Sequence, residues 1–252
     1  MNNTSQCPSC SSAIDITKNA VCPSCGFQLC TGLVPVIVQP VRRVQKLPAS
    51  VLLALLIDIT GSTGRFSEGV FQAVKMILDF HAPKIREMRV FLHTAGDLDY
   101  GQECTLVGNG VTAPEATTAV ERLSFGGGGD EPETHLDSVQ TVLNTTPWEL
   151  DRHWRNVLIL FLTADSKPAR SAVTARQLGE ALRGRGIQLY VVAEDYPFAR
   201  ELSEAACGLF FSITNDPEPA QMQQIAVGIS QTLLLTVASP ATKPMTVPMN
   251  RP

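Results

Sequence analysis

The sequence is short of charge, of aromatic rings and of long apolar runs, and each shortage removes a class of function. Only 17% of its 252 residues are charged, and 20 Lys and Arg stand against 24 Asp and Glu, a net charge of −4. Nucleic acid is bound chiefly through its phosphates, so a chain with no basic excess is a poor candidate for that role. Aromatics make up 6%, too few for the stacking platforms that hold single-stranded bases. The longest apolar run, residues 51–57 (VLLALLI), stops at Asp58 and falls far below the roughly 20 residues of a membrane span. The opening MNNTSQCPSC has no charged n-region and no apolar h-region, so no secretory signal is read there. No GxxxxGK[ST] loop and no GxSxG elbow occurs, which removes P-loop nucleotide hydrolysis and α/β-hydrolase chemistry. A cytoplasmic protein with reduced thiols is the expectation.

What is present is an alternation. Residues 51–58 form a continuous apolar run ending in an acid, as a strand buried on both faces does. Residues 66–85 carry Val70, Val74, Ile77 and Leu78 at helical spacing. Strands are expected at 89–94, 156–163, 187–193 and 209–213, and a hairpin partner at 103–107. Helices are expected at 114–123, 132–143, 172–183, 198–207 and 220–237. This order predicts an α/β fold, a doubly wound and mostly parallel sheet covered on both faces, with ligands at the carboxyl ends of its strands. Four segments are predicted: a cysteine module at 1–30, a linker or edge strand at 31–49, the α/β domain at 50–237 and a disordered tail at 238–252.

The cysteine module has two pairs, Cys7-Pro-Ser-Cys10 and Cys22-Pro-Ser-Cys25, with eleven residues between them. Two such pairs can supply the tetrahedral thiolate set that Zn²⁺ prefers, and the proline suits the tight turn between paired sulfurs. So small a segment cannot build a core, so metal binding would supply its folding free energy, on the order of 10–16 kcal/mol. The segment resembles a minimal zinc ribbon of the CPxC type. Cys30 is a spare thiol, and Cys104 and Cys207 are expected to be small buried residues.

A second cluster follows the first strand, in Asp58-Ile59-Thr60-Gly61-Ser62-Thr63-Gly64. Asp58, Thr60 and Ser62 alternate, so an extended or gently curling loop would aim three oxygens one way. One carboxylate and two hydroxyls suit a hard cation that retains open water positions. The pattern resembles the metal-ion-dependent adhesion site (MIDAS) of von Willebrand factor A (VWA) domains, Asp-x-Ser-x-Ser, with Thr60 in place of the first serine. Residues 126–133 (GGGGDEPE) resemble the GGxDxPE loop of the integrin-β-like branch of that family. There the glutamate after the proline holds the metal, which implies Glu133, with Thr134 as the alternative. Residues 162–168 (LTADSKP) resemble the third loop, whose aspartate holds the metal through water, which implies Asp165. The resemblance covers residues 50–237 and implies Mg²⁺, or Ca²⁺ or Mn²⁺, at Asp58, Thr60, Ser62, Glu133 and Asp165. It also implies a neighbouring second cation at Asp130, the Pro132 carbonyl and either Asp97 or Asp99.

Each of these residues has a plainer reading. Asp58 could be a turn former, the hydroxyls could satisfy loop backbone, and Glu133 could complement a helix dipole. His81, His93, His135 and His153 are scattered and read as surface or core filler. Trp148 and Trp154 read as packing residues. The resemblance implies an adaptor rather than an enzyme, whose metal accepts an Asp or Glu from a partner protein such as an AAA+ ATPase, a kinase or a phosphatase. The zinc ribbon would be a second docking module. Two alternatives are a Mg²⁺-dependent phosphatase with Asp58 as nucleophile and a nucleic-acid-binding zinc ribbon. Thr60 stands where the first needs a general acid, and acidity argues against the second. For the cysteine module the expected outcome is one zinc per chain, measured by elemental analysis of protein purified without added metal; zinc near zero overturns the assignment.

Overall fold

The structure is a computed structural model and describes residues 4–6, 13–15, 49–65, 67–129, 131–151, 153–214 and 216–238. The chain divides into two units, Met1–Arg43 and Val44–Pro252. In the first, β1 (Thr4–Gln6) pairs antiparallel with β2 (Ala13–Asp15). Cys7, Cys10, Cys22 and Cys25, and all of the expected linker but Ala49, lie outside the described residues, as does the expected tail beyond Ala238.

The second unit is built on β3 (Ser50–Asp58), whose nine residues are all buried. Its side chains alternate between two cores. Val51, Leu53, Leu55 and Ile57 face one, and Leu52, Ala54 and Leu56 face the other. That two-sided burial is why the strand is written as an unbroken apolar run. Around it lie β4 (Met88–Ala95), β5 (Thr105–Val111), β6 (Trp154–Leu162), β7 (Ile187–Ala193) and β8 (Leu209–Ser212), in the order β5-β4-β3-β6-β7-β8. All neighbours are parallel except β4 and β5. The strand expected at 103–107 is thus the antiparallel edge β5, displaced toward Val111 and mostly exposed.

α2 (Ser67–His81), α3 (Ala113–Glu121) and α7 (Pro219–Ala238) bury their apolar faces in the first core. α4 (His135–Thr145), α5 (Ala175–Gly184) and α6 (Pro197–Ala205) do so in the second, which also takes Trp148 and Trp154. Thr174 and Gln177 start α5 with a reciprocal cap: Gln177 N donates to Thr174 Oγ1 at 3.2 Å, and Thr174 N donates to Gln177 Oε1 at 2.9 Å. No described helix is long and apolar enough to cross a membrane.

The structure corrects four local expectations. A helical turn, α1 (Gly61–Gly64), replaces the extended loop after Asp58. α4 begins at His135 and not at residue 132, because Glu133 is bonded sideways as strand: its N donates to Asp165 O at 2.9 Å, and its carbonyl accepts from Lys167 N at 2.7 Å. Cys207 is exposed, because the chain leaves α6 with this residue at a φ of 52°. Cys104 is only half-buried, in the loop before β5.

α5 and α6 approach closely at Gly179 of α5. A Cβ there would stand 2.5 Å from Leu202 O and 2.6 Å from Ala205 Cβ, both on α6. Gly184 of the same helix meets nothing within 4 Å. Alanine gains roughly 0.8–1 kcal/mol over glycine in a helix interior, but overpacking costs about 1–3 kcal/mol. Gly179→Ala is expected to lower the urea midpoint, whereas Gly184→Ala raises stability by about 0.4–1 kcal/mol.

Candidate metal centre

β3 connects to β4 on one side, and β6 lies on its other side and continues to β7. The carboxyl ends of β3 and β6 therefore flank the point where the winding reverses, the usual ligand crevice of such sheets. Asp58 ends β3 there, fully buried. A buried carboxylate needs donors, and it has four. Oδ1 accepts from Thr60 N at 2.8 Å and Thr60 Oγ1 at 2.7 Å. Oδ2 accepts from Thr163 N at 3.3 Å and Thr163 Oγ1 at 2.7 Å.

The hydroxyls continue outward from that anchor. Thr60 Oγ1 and Ser62 Oγ are 3.0 Å apart, Ser62 Oγ and Thr163 Oγ1 are 3.1 Å apart, and Thr63 Oγ1 and Thr163 Oγ1 are 2.6 Å apart. The helical turn of α1 aims them together where an extended loop was expected. Ser62 reaches a shallow cleft of about 270 Å³, lined also by Gly61, Gly127, Gly128, Gly129, Glu131 and Glu133. Two backbone bonds hold the glycine run against the first loop: Gly61 N donates to Gly127 O at 3.1 Å, and Gly126 N donates to Ile59 O at 2.9 Å. Gly128 has a φ of 68°, and a Cβ there would stand 2.7 Å from Glu133 Oε1 and 3.3 Å from Thr60 Cβ. Only glycine lets the loop close over both residues.

Glu133 is 3% exposed, and its Oε2 has no hydrogen-bond partner among the described residues. Burial, and then the neighbouring Asp58 and Asp97 carboxylates, push its carboxyl up to about 8. Thr134 does not face the cleft cluster: its hydroxyl donates to Gly96 O at 3.2 Å and accepts from Leu98 N at 3.0 Å. Asp165 stands beside the cluster, half-buried, on the loop bonded to Glu133; its Oδ1 accepts from Ser166 N at 2.8 Å. Asp97 is fully buried and Asp99 exposed. Both pair with Lys167 Nζ, at 3.1 and 2.7 Å, and Asp99 also meets Arg170 Nη2 at 3.0 Å. Asp130 lies outside the described residues.

Four contributors were not singled out from the sequence. Thr163 follows the end of β6, and only the pairing of β3 with β6 reveals it as a partner of Asp58. Gln102 Oε1 accepts from Gly128 N at 3.1 Å, tying the glycine run to the loop after β4. Lys167 follows Asp165 by two residues. His135, expected as filler, is fully buried with Nε2 3.5 Å from Asp58 Oδ2. Burial outweighs the pull of Asp58, Asp165 and Asp97 and lowers its pKa, keeping the ring neutral. The other histidines do behave as filler or surface: His81 and His93 are buried and His153 is exposed.

The donors fit a hard divalent cation. Among the described residues no three His, Cys, Asp or Glu side chains form a metal cage by themselves, so the hydroxyls of Thr60 and Ser62 must be counted. With them the set is all oxygen, and the orphaned Glu133 Oε2 supplies an acceptor that the protein leaves unmatched.

Solved structures share the fold. One is proximal thread matrix protein 1 (PTMP1) from the mussel byssus with a zinc-occupied MIDAS motif, at a TM-score of 0.55 and 12% identity, over 72% of this chain and 46% of that one. Another is the SpRpn10 VWA domain, at 0.54 and 15% identity, over 71% of this chain and 94% of that one. The chain thus spans less than half the length of PTMP1. The likeness is one of fold, a VWA-type α/β sheet. No protein-family model and no curated protein matches the sequence.

Glu133 makes the centre pH-sensitive. Its carboxyl rises in the fold from the ordinary 4.5 to about 8, so between those values the metal-free folded state holds a proton that the unfolded chain releases. Metal-free stability should therefore fall as pH rises through that window. A cation competes with the same proton, so its affinity should rise by roughly tenfold per pH unit up to about 8. Melting curves and Mg²⁺ titrations at pH 5.5, 6.5 and 7.5 check both signs, and Glu133→Gln should flatten both.

Proposed function

We propose that this chain is a metal-dependent protein-interaction module of VWA type. Asp58, Thr60, Ser62 and Glu133 would hold one divalent cation, with Asp165 beside it, and the cleft would admit an acidic side chain of a partner. The observation that carries the reading is the buried Glu133 carboxyl, with an unmatched oxygen, set against hydroxyls anchored on Asp58. When bound, the cation would supply an open coordination position that a partner Asp or Glu completes.

The chain's own residues do the rest. Thr60 and Thr163 hold the Asp58 carboxylate rigid from both sides. Gly128 keeps the cleft wall thin enough for Glu133 to approach. The neutral His135 ring closes the buried side of Asp58 without adding charge.

We place the chain in the integrin-β-like branch on its GGxDxPE-type stretch, and read it as a cytoplasmic adaptor with its cysteine module as a zinc-held second docking surface. An AAA+ ATPase, a kinase or a phosphatase is the class of partner that follows. Against an enzyme stands the state of Asp58: both its oxygens accept hydrogen bonds from protein, which blunts a nucleophile, and Thr60 cannot serve as its acid partner.

The test is capture of partners from native lysate by the full chain, with Mg²⁺ or with EDTA. A charge-assisted contact contributes about 1.5–3 kcal/mol, so losing it should weaken capture by roughly 10- to 100-fold. The same loss is expected for Asp58→Ala, checked for a native melting transition. A partner held equally tightly in all three conditions overturns the metal bridge. Asp58-dependent, Mg²⁺-dependent turnover of a phosphate ester would put the phosphatase reading first.

A further inference from the structure

We propose that the ammonium of Lys167 is itself the second cation of this centre: it stands between Asp97 and Asp99, so the centre takes one divalent ion and not two. The inference rests on the metal reading above and concerns the position next to it.

Lys167 Nζ lies 3.1 Å from Asp97 Oδ2 and 2.7 Å from Asp99 Oδ2. The Asp97 side chain is 0% exposed and that of Lys167 only 19%, so this is not a surface side chain reaching over by chance. The backbone fixes it as well. Lys167 N donates to Glu133 O at 2.7 Å, and Ser166 Oγ donates to Lys167 O at 2.9 Å while accepting from Leu136 N at 3.1 Å. One residue is thus bonded through its main chain to the acid proposed for the first ion, and through its side chain to the acids considered for the second. Arg170 adds a further cation on Asp99 at 3.0 Å.

An ammonium is a compact point charge with three donors and no acceptor, which suits a gap between two carboxylates. Being tethered, it neutralises them without stripping water from a divalent ion. It also repels any divalent ion approaching the same oxygens. The negative charge that would recruit a neighbouring metal is already answered.

The experiment counts ions. Mn²⁺ is titrated into the full chain and free Mn²⁺ is read by electron paramagnetic resonance. One ion, lost in Asp58→Ala, is expected in the wild type and in Lys167→Arg; Lys167→Met should bind that ion and a second one, which adding Asp97→Asn removes. Lys167→Gln is a second neutral variant should Lys167→Met lack a native melting transition. Two ions in the wild type, or an unchanged count in the neutral variants, overturn the assignment and leave the metal reading standing. No Asp58-dependent ion in the wild type overturns the metal reading itself.

Discussion

A carboxylate buried at the end of the central strand governs this structure. Asp58 has no exposed surface, and an ionised group out of water is tolerated only when its lone pairs are matched. The match comes from two threonines on different elements. Thr60 lies on the loop that follows β3, and Thr163 on the loop that follows β6, 105 residues away from Asp58. Satisfying one charge therefore fixes two loops relative to each other, and the hydroxyls of Ser62 and Thr63 take their places from that.

Glu133 is the complement of Asp58. It is nearly as buried, yet one of its oxygens has no partner among the described residues, and burial and like charge raise its carboxyl to about 8. The protein satisfies one acid internally and leaves the other to a proton or a cation. That asymmetry makes Asp58 the anchor of the cluster and Glu133 the acid with an oxygen still open. It also explains Gly128, since a side chain there would strike Glu133.

Much of this was legible because it is written locally. The two-sided burial of β3 is a run of apolar residues, and the helices covering the sheet repeat with helical period. Asp58, Thr60 and Ser62 are close in sequence, so their convergence survives an error in local geometry: a helical turn gathers hydroxyls that an extended loop was expected to gather. What was not legible depends on strand order. Thr163 meets Asp58 because β6 pairs with β3, and His135, the first residue of α4, meets it across the sheet's carboxyl end, a contact between distant parts of the sequence. The exposure of Cys207 follows from a left-handed backbone that no periodicity encodes.

Strand order also explains why the charges collect where they do. With β4 on one side of β3 and β6 on the other, the loops after all three strands open at one end of the sheet. Each strand end brings an acid: Asp58 closing β3, Asp97 and Asp99 after β4, Asp165 after β6, with Glu133 bonded to the last of these loops. A parallel sheet cannot avoid this convergence, because its connections return every carboxyl end to the same edge. Like charges so gathered raise one another's cost unless cations stand among them. Lys167 and Arg170 answer Asp97 and Asp99 from within the chain, and His135 remains neutral and answers none. Glu133, facing the cleft, is left to a proton or a cation, and an ion from solution that displaces that proton answers the one acid the chain does not.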